Sequence, residues 1–142
     1  MILPDINLLL YAYDTAAPRH AVARDWWEGA LSGDEPVALA WATLLAFVRI
    51  TTKRVAFEEP FSVEEAIGHV EAWLDQPHVR VVQPGHRHAE HLFRFLRALG
   101  AAGNLTTDAH LAALAVEHGC TLYSTDADFA RFPRLDWRNP LS

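Results

Sequence analysis

The chain has 142 residues, 51% of them hydrophobic and 21% charged, which supports one core of ordinary domain size and argues against global disorder. Its formal charge of −6 at pH 7 disfavours indiscriminate attachment to nucleic acid or anionic membrane, but leaves room for a local site that takes a polyanion. The longest uncharged run, residues 36–48, is shorter than the roughly 20 residues needed to cross a bilayer.

The opening residues carry an acid at position 5 and no basic stretch, unlike a secretory signal. Cys120 is the lone cysteine, which excludes an internal disulfide framework and any multi-cysteine zinc site. The expectation is a cytoplasmic globular domain over residues 1–142, with no membrane partner.

The apolar run Met1-Ile2-Leu3, ended by Pro4-Asp5, predicts a short buried strand whose exit carries a carboxylate. Asn7 then leads a short helix through Leu8, Leu9, Leu10, Tyr11 and Tyr13. Pro18 opens a second helical stretch containing Ala21, Val22, Trp26, Trp27 and Leu31, stopped by Ser32-Gly33-Asp34. Residues 37–40 read as another buried strand and residues 41–52 as a helix. The pattern breaks at Glu58-Glu59-Pro60-Phe61. Ser62 and Glu65 have the spacing of a capping box, opening a helix with Ala66, Ile67, Val70 and Leu74 on one face.

Residues 79–82 form the next strand candidate, closed by Pro84-Gly85. Leu92, Phe95, Leu96 and Leu99 give the following helix its apolar stripe, ended by residues 100–103. Thr107-Asp108 is expected to cap a helix running to His118, with Gly119 as its stop. Residues 121–123 are a strand and residues 135–137 a last one. This alternation, without repeat or linker, predicts an α/β three-layer sandwich with a mostly parallel central sheet flanked by helices. Ligands of such sheets bind beyond the carboxyl ends of the strands.

Acids fall at those ends. Asp5 leaves the first strand, Asp126 and Asp128 follow the strand 121–123, and Asp108 begins a helix that can face them. Each has an ordinary reading alone: Asp108 suits a helix dipole, and Asp126 and Asp128 suit a turn. Together they form a like-charge group that would raise its own pKa values unless a divalent cation offset the repulsion. Hard oxygen donors suit Mg²⁺ or Mn²⁺, which can activate water and stabilise an in-line phosphoryl displacement.

The whole chain, from Ile2-Leu3-Pro4-Asp5-Ile6-Asn7 to Trp137-Arg138-Asn139-Pro140-Leu141, resembles a PIN-domain ribonuclease of the VapC toxin family. The most specific stretches are residues 103–115 (Gly-Asn-Leu-Thr-Thr-Asp-Ala-His-Leu-Ala-Ala-Leu-Ala) and 124–129 (Ser-Thr-Asp-Ala-Asp-Phe), with residues 42–49 between the landmarks. The resemblance implies the toxin component of a type II toxin–antitoxin system. Such a toxin is a metal-dependent endoribonuclease that cuts tRNA or rRNA to leave a 3′-hydroxyl and a 5′-phosphate, and a VapB-type antitoxin inhibits it. By position, Asp5, Asp108 and Asp126 resemble the metal ligands, Asp128 joins the catalytic acids, and Asn7 and Ser124 support them. One departure stands out: Ala46 occupies a place where many members carry Glu. The alternative reading is a catalytically degenerate PIN-like module that retains RNA or antitoxin binding.

All the basic residues except Lys53 are arginine. Arg49, Lys53 and Arg54 form one basic group, and Arg87, Arg94 and Arg97 recur on one helix face. Arg49, Lys53, Arg87 and Arg94 are candidate phosphate contacts, against the plainer reading that they solvate helix faces. His86-Arg87-His88-Ala89-Glu90-His91 resembles a metal cluster in spacing, but opens an amphipathic helix and is expected to present exposed histidines. Five tryptophans suggest apolar surface that meets a homodimer partner or an antitoxin segment. A phosphoacceptor reading of Asp5 lacks a nearby lysine, and no glycine-rich phosphate loop or Ser/His nucleophile stands out.

Overall fold

The computed structural model describes residues 1–142. The elements are β1 (Ile2–Pro4), α1 (Ile6–Tyr13), α2 (His20–Ser32), β2 (Val37–Ala40), α3 (Trp41–Thr51), α4 (Val63–Leu74) and β3 (Val79–Val82). They are followed by α5 (His88–Leu99), a 3₁₀ turn over Gly103–Leu105, α6 (Thr106–His118), β4 (Thr121–Tyr123), a second 3₁₀ turn over Ala127–Arg131, and β5 (Trp137–Arg138). The five strands form one sheet in the order β3-β2-β1-β4-β5, with every neighbouring pair parallel. This is the expected α/β sandwich.

Strand periodicity divides the core into two halves. Ile2, Val37 and Leu39 face one side, where they meet Leu8 and Leu9 of α1, Trp27 of α2, Phe47 of α3 and Trp73 of α4. Leu3, Ala38, Ala40 and Leu122 face the other side, against Phe95 of α5 and the buried residues of α6. Small residues meet small residues here: Ala38 and Ala40 oppose Ala109, Ala112, Ala113 and Ala115, which lets α6 lie close on the sheet. Because α6 is apolar on nearly every side, it is buried along most of its length.

The strand order reverses at β1. The chain builds β2 and β3 on one side, then returns to place β4 and β5 on the other. Such a reversal opens a crevice at the carboxyl ends of the two central strands, here β1 and β4.

Several boundaries differ from expectation. Pro18 lies in a turn, where Ala16 N donates to Asp14 Oδ1 and His20 N to Ala17 O, so α2 begins at His20. The Gly103–Leu105 turn runs directly into α6, with Leu105 N bonded to Ala102 O. Asp108 therefore lies inside the first turn of α6, with no capping hydrogen bond. Arg134 adopts φ 68° and Leu135 N closes a turn on Phe132 O, which delays the last strand to Trp137. The capping box is as expected: Ser62 Oγ accepts from Glu65 N at 3.1 Å and Glu65 Oε1 accepts from Ser62 N at 2.9 Å.

Candidate metal centre

The first carboxylate is held from two directions. Asp5 follows β1 directly, and its backbone N–H donates to Tyr123 O at the end of β4, at 2.9 Å. Its Oδ1 accepts from Ile6 N at 2.8 Å, at the start of α1, and its Oδ2 accepts the Ser124 hydroxyl at 2.8 Å. The side chain is buried, and desolvation raises its pKa, partly opposed by those two hydrogen bonds.

Ser124 is fully buried and acts as a hub. Besides donating to Asp5, its oxygen accepts from Asn7 Nδ2 at 3.3 Å and from Asp126 N at 3.0 Å. Asp126 in turn accepts from Asp128 N through Oδ1 at 2.9 Å, starting the second 3₁₀ turn. One hydroxyl thus links the residue that follows β1, a residue of α1 and the segment after β4.

Asp108 faces this group from the first turn of α6. Its pKa is raised to about 6, by desolvation first and then by the charges of Asp5, Asp126 and Asp128. The structure therefore brings the expected acids into one electrostatic group. Asp5 and Asp108 line a cleft of about 50 Å³ together with Thr43, Thr107 and Ala46. Ala46, where many family members carry Glu, thus opens onto the same cleft as Asp5 and Asp108.

The donor set suits a hard divalent cation. The acids repel one another without a counter-charge, and Asn7 Oδ1 is a buried oxygen with no hydrogen-bond partner. No three His, Cys, Asp or Glu side chains close around a common point. An ion bound here would have an open coordination shell completed by water, as Mg²⁺ commonly does.

The basic candidates fare differently. Arg49 and Lys53 are exposed on and just beyond the last turn of α3, with no ion-pair partner within 4 Å. Arg87 is paired with Glu90 at 3.2 Å, and its backbone N–H donates to Glu117. Glu117 is near the end of α6, roughly 13 Å along the helix from Asp108 at 1.5 Å per residue. Arg94 lies over the Phe95 ring at 4.6 Å and bonds His91 Nδ1 at 3.2 Å. Arg87 and Arg94 are thus held by neighbours, whereas Arg49 and Lys53 have no ion-pair partner.

Of the histidines, only His86 is fully exposed as expected. His88 Nε2 meets His110 Nδ1 at 3.0 Å, and His91 is buried, because both project into the seam between α5 and α6. The tryptophans also separate. Trp27 and Trp73 are core, Trp26 stacks near Tyr123, and Trp41 is 48% exposed beside Leu45 on α3. Sequence reasoning passed over Trp137, whose indole N–H donates to Ser124 O at 3.0 Å. Nothing local marks that contact, since it depends on the pairing of β5 with β4.

A parallel sheet with carboxylates gathered at its central crevice defines a class of acidic, metal-suited α/β domains. The PIN domain family model matches residues 2–135, and the chain belongs to that family. Within it, the similarity is to VapC proteins. Ribonuclease VapC33 of Mycobacterium tuberculosis is 42% identical over 141 residues, covering 99% of both chains. Ribonuclease VapC37 of the same organism is 46% identical over 140 residues, covering 99% of this chain and 97% of the relative.

Solved structures agree in fold. VapBC2 from Rickettsia felis, bound to a DNA fragment from its promoter, superimposes with a TM-score of 0.70 at 16% identity, covering 98% of both chains. The Sarcin-Ricin loop cleaving toxin VapC20 of Mycobacterium tuberculosis gives 0.68 at 19% identity, covering 96% of this chain and 99% of that one.

Proposed function

We propose that this chain, acting as one domain over residues 1–142, is the toxin of a type II toxin–antitoxin pair. It would be an endoribonuclease that hydrolyses phosphodiester bonds in RNA of the tRNA or rRNA class with Mg²⁺ or Mn²⁺. The observation that carries the reading is that Asp5 and Asp108 share one cleft at the sheet crevice, where desolvation first and then the charges of Asp5, Asp126 and Asp128 raise the Asp108 pKa to about 6. The whole-length relatives named as ribonucleases support it.

Asp5, Asp108 and Asp126 would hold the ion, with Ser124 orienting Asp5 and Asn7 bonded to the Ser124 hydroxyl. When bound, the metal supplies positive charge that ionises the acids, lowers the pKa of water and offsets charge on the phosphoryl oxygens. An ionised carboxylate of the group, with Asp128 at its margin, would accept a proton from the attacking water as its oxygen bonds to phosphorus, and the departing 3′-oxygen would take a proton from solvent. The products are a 3′-hydroxyl and a 5′-phosphate. Arg49 and Lys53 take flanking phosphates, with Arg87 and Arg94 as outer contacts once freed from their present partners.

A VapB-type antitoxin is the partner that restrains the enzyme, as VapBC complexes among the structural neighbours suggest. The exposed Trp41 and Leu45 on α3 supply apolar surface for a homodimer. The reading places its action in the cytoplasm; no helix is long and apolar enough to cross a membrane.

The test is incubation of total cellular RNA with the purified, antitoxin-free protein in Mg²⁺, in Mn²⁺ and in EDTA, with Asp5→Ala alongside. Discrete metal-dependent fragments absent from the variant support the nuclease. A folded, antitoxin-binding protein that cuts nothing would make Ala46 the mark of a binding module.

A further inference from the structure

The shortest strand lies beside the acidic centre. β5 has only two residues, and its register sets Trp137 opposite Leu122 and Arg138 opposite Tyr123. Both backbone polar groups of Ser124 are consumed by it. Ser124 N donates to Arg138 O at 3.0 Å, and Ser124 O accepts the Trp137 indole N–H at 3.0 Å. With its backbone held on both sides, Ser124 has only its hydroxyl left to place, and that hydroxyl serves Asp5, Asn7 and Asp126 together.

The indole is suited to this role. Its ring is half-buried against the α5–α6 half of the core, which fixes the direction of the N–H. A buried carbonyl in this position has no other donor among the hydrogen bonds of the segment, so losing the indole proton leaves it free to swing. A rotation of the Ser124 peptide would carry the hydroxyl away from Asp5 and release the N–H of Asp126.

We propose that Trp137 is a positioning residue of the acidic centre: its indole N–H locks the Ser124 peptide, and through Ser124 it sets the placement of Asp5 and Asp126. The proposal rests on the metal-nuclease reading above, and it assigns to β5 a task beyond closing the sheet edge. Trp137 touches neither substrate nor ion. It acts through a neighbour, so its loss is felt in metal affinity and turnover more than in substrate binding.

The experiment compares wild type, Trp137→Phe, Ser124→Ala and the double variant, with Trp73→Phe, in the opposite half of the core, as an indole control. Mn²⁺ binding is measured by calorimetry and RNA cleavage by initial rates. Loss of one hydrogen bond to a site of this kind predicts about a tenfold weaker Mn²⁺ affinity and a similar fall in kcat for Trp137→Phe, with KM within about twofold. In the Ser124→Ala background the same change is expected to have almost no further effect, because the path through the hydroxyl is already cut.

A second measurement uses the intact protein. The Trp137 indole N–H resonance is expected to shift on adding Mg²⁺, while that of Trp73, bonded to Tyr13 in the opposite half of the core, stays in place. Trp137→Phe with unchanged Mn²⁺ affinity, an equal loss in both backgrounds, or an indole resonance unmoved at saturating Mg²⁺ would each overturn the role of Trp137. A wild-type protein that neither binds Mn²⁺ nor cuts RNA would instead sink the nuclease reading itself.

Discussion

The Ser124 hydroxyl donates to Oδ2 of Asp5 at 2.8 Å, a buried bond that joins two residues 119 apart in the chain. This bond stabilises the ionised form of a carboxylate that burial otherwise drives toward protonation. Ser124→Ala is therefore expected to raise the Asp5 pKa further and to move the acidic limb of the pH–rate profile to higher pH. Carboxyl carbon chemical shifts of Asp5 across a pH titration check the direction, and an unchanged midpoint would show that Ser124 contributes nothing to ionisation.

Asp108 makes the metal-free protein pH-dependent in a definite sense. Its folded-state pKa, about 6, lies above the ordinary 3.8, so the folded state binds the proton more tightly than the unfolded state. The associated stability is fully present below about pH 4 and is lost as pH rises through about 6. Because the side chain is only partly buried, solvent screening reduces the effect to on the order of 1 kcal/mol. Thermal unfolding without metal is expected to show this fall between pH 4 and 6, and Asp108→Asn to abolish it. Added Mg²⁺ restores stability above pH 6 in wild type but not in Asp108→Asn, which also loses cleavage.

Ala46 shares its cleft with Asp5 and Asp108, so Ala46→Glu places another carboxylate there. The metal-free variant is expected to be less stable at neutral pH, by roughly 1 kcal/mol, through like-charge repulsion. With metal the sign reverses: Mn²⁺ affinity rises about tenfold as another oxygen donor becomes available. Calorimetry and melting curves with and without Mn²⁺ test both halves, and a variant that loses affinity would show that the cleft has no room for a further ligand.

Away from the centre, Glu117 accepts the backbone N–H groups of Gly85 at 2.8 Å and Arg87 at 3.1 Å, tying the start of α5 to the end of α6. A Cβ on Gly85 would lie 2.4 Å from Glu117 Oε2. Gly85→Ala therefore displaces the carboxylate and is expected to lower stability slightly, because the two bonds it breaks lie at the surface. Glu117→Ala loses a similar amount, and the double variant falls well short of the sum. Additive losses in urea denaturation would mean that the two residues act separately.

Much of the fold was legible because its signals are local. Ser62 and Glu65 marked a helix start by spacing alone, Gly100 and Gly119 stop helices in the left-handed region, and short apolar runs marked the strands. Boundaries slipped where a local rule met a neighbouring turn. Pro18 was taken into a turn anchored by Asp14, and the last strand waited for the left-handed Arg134. The α5 histidines were misjudged for a different reason: a helix wheel cannot show that His110 of α6 will stand opposite His88.

The sequence by itself determined the alternation of elements, the family resemblance and the identity of the acids, since all of these reside in residue type and spacing. The tertiary structure alone decided which of those acids share a charge field and which arginines are already engaged. It also made Trp137 a neighbour of Ser124. The physical reason is that hydrogen bonds and Coulomb interactions act over a few ångströms of space, whereas these partners are brought together only by the parallel crossover connections of the sheet.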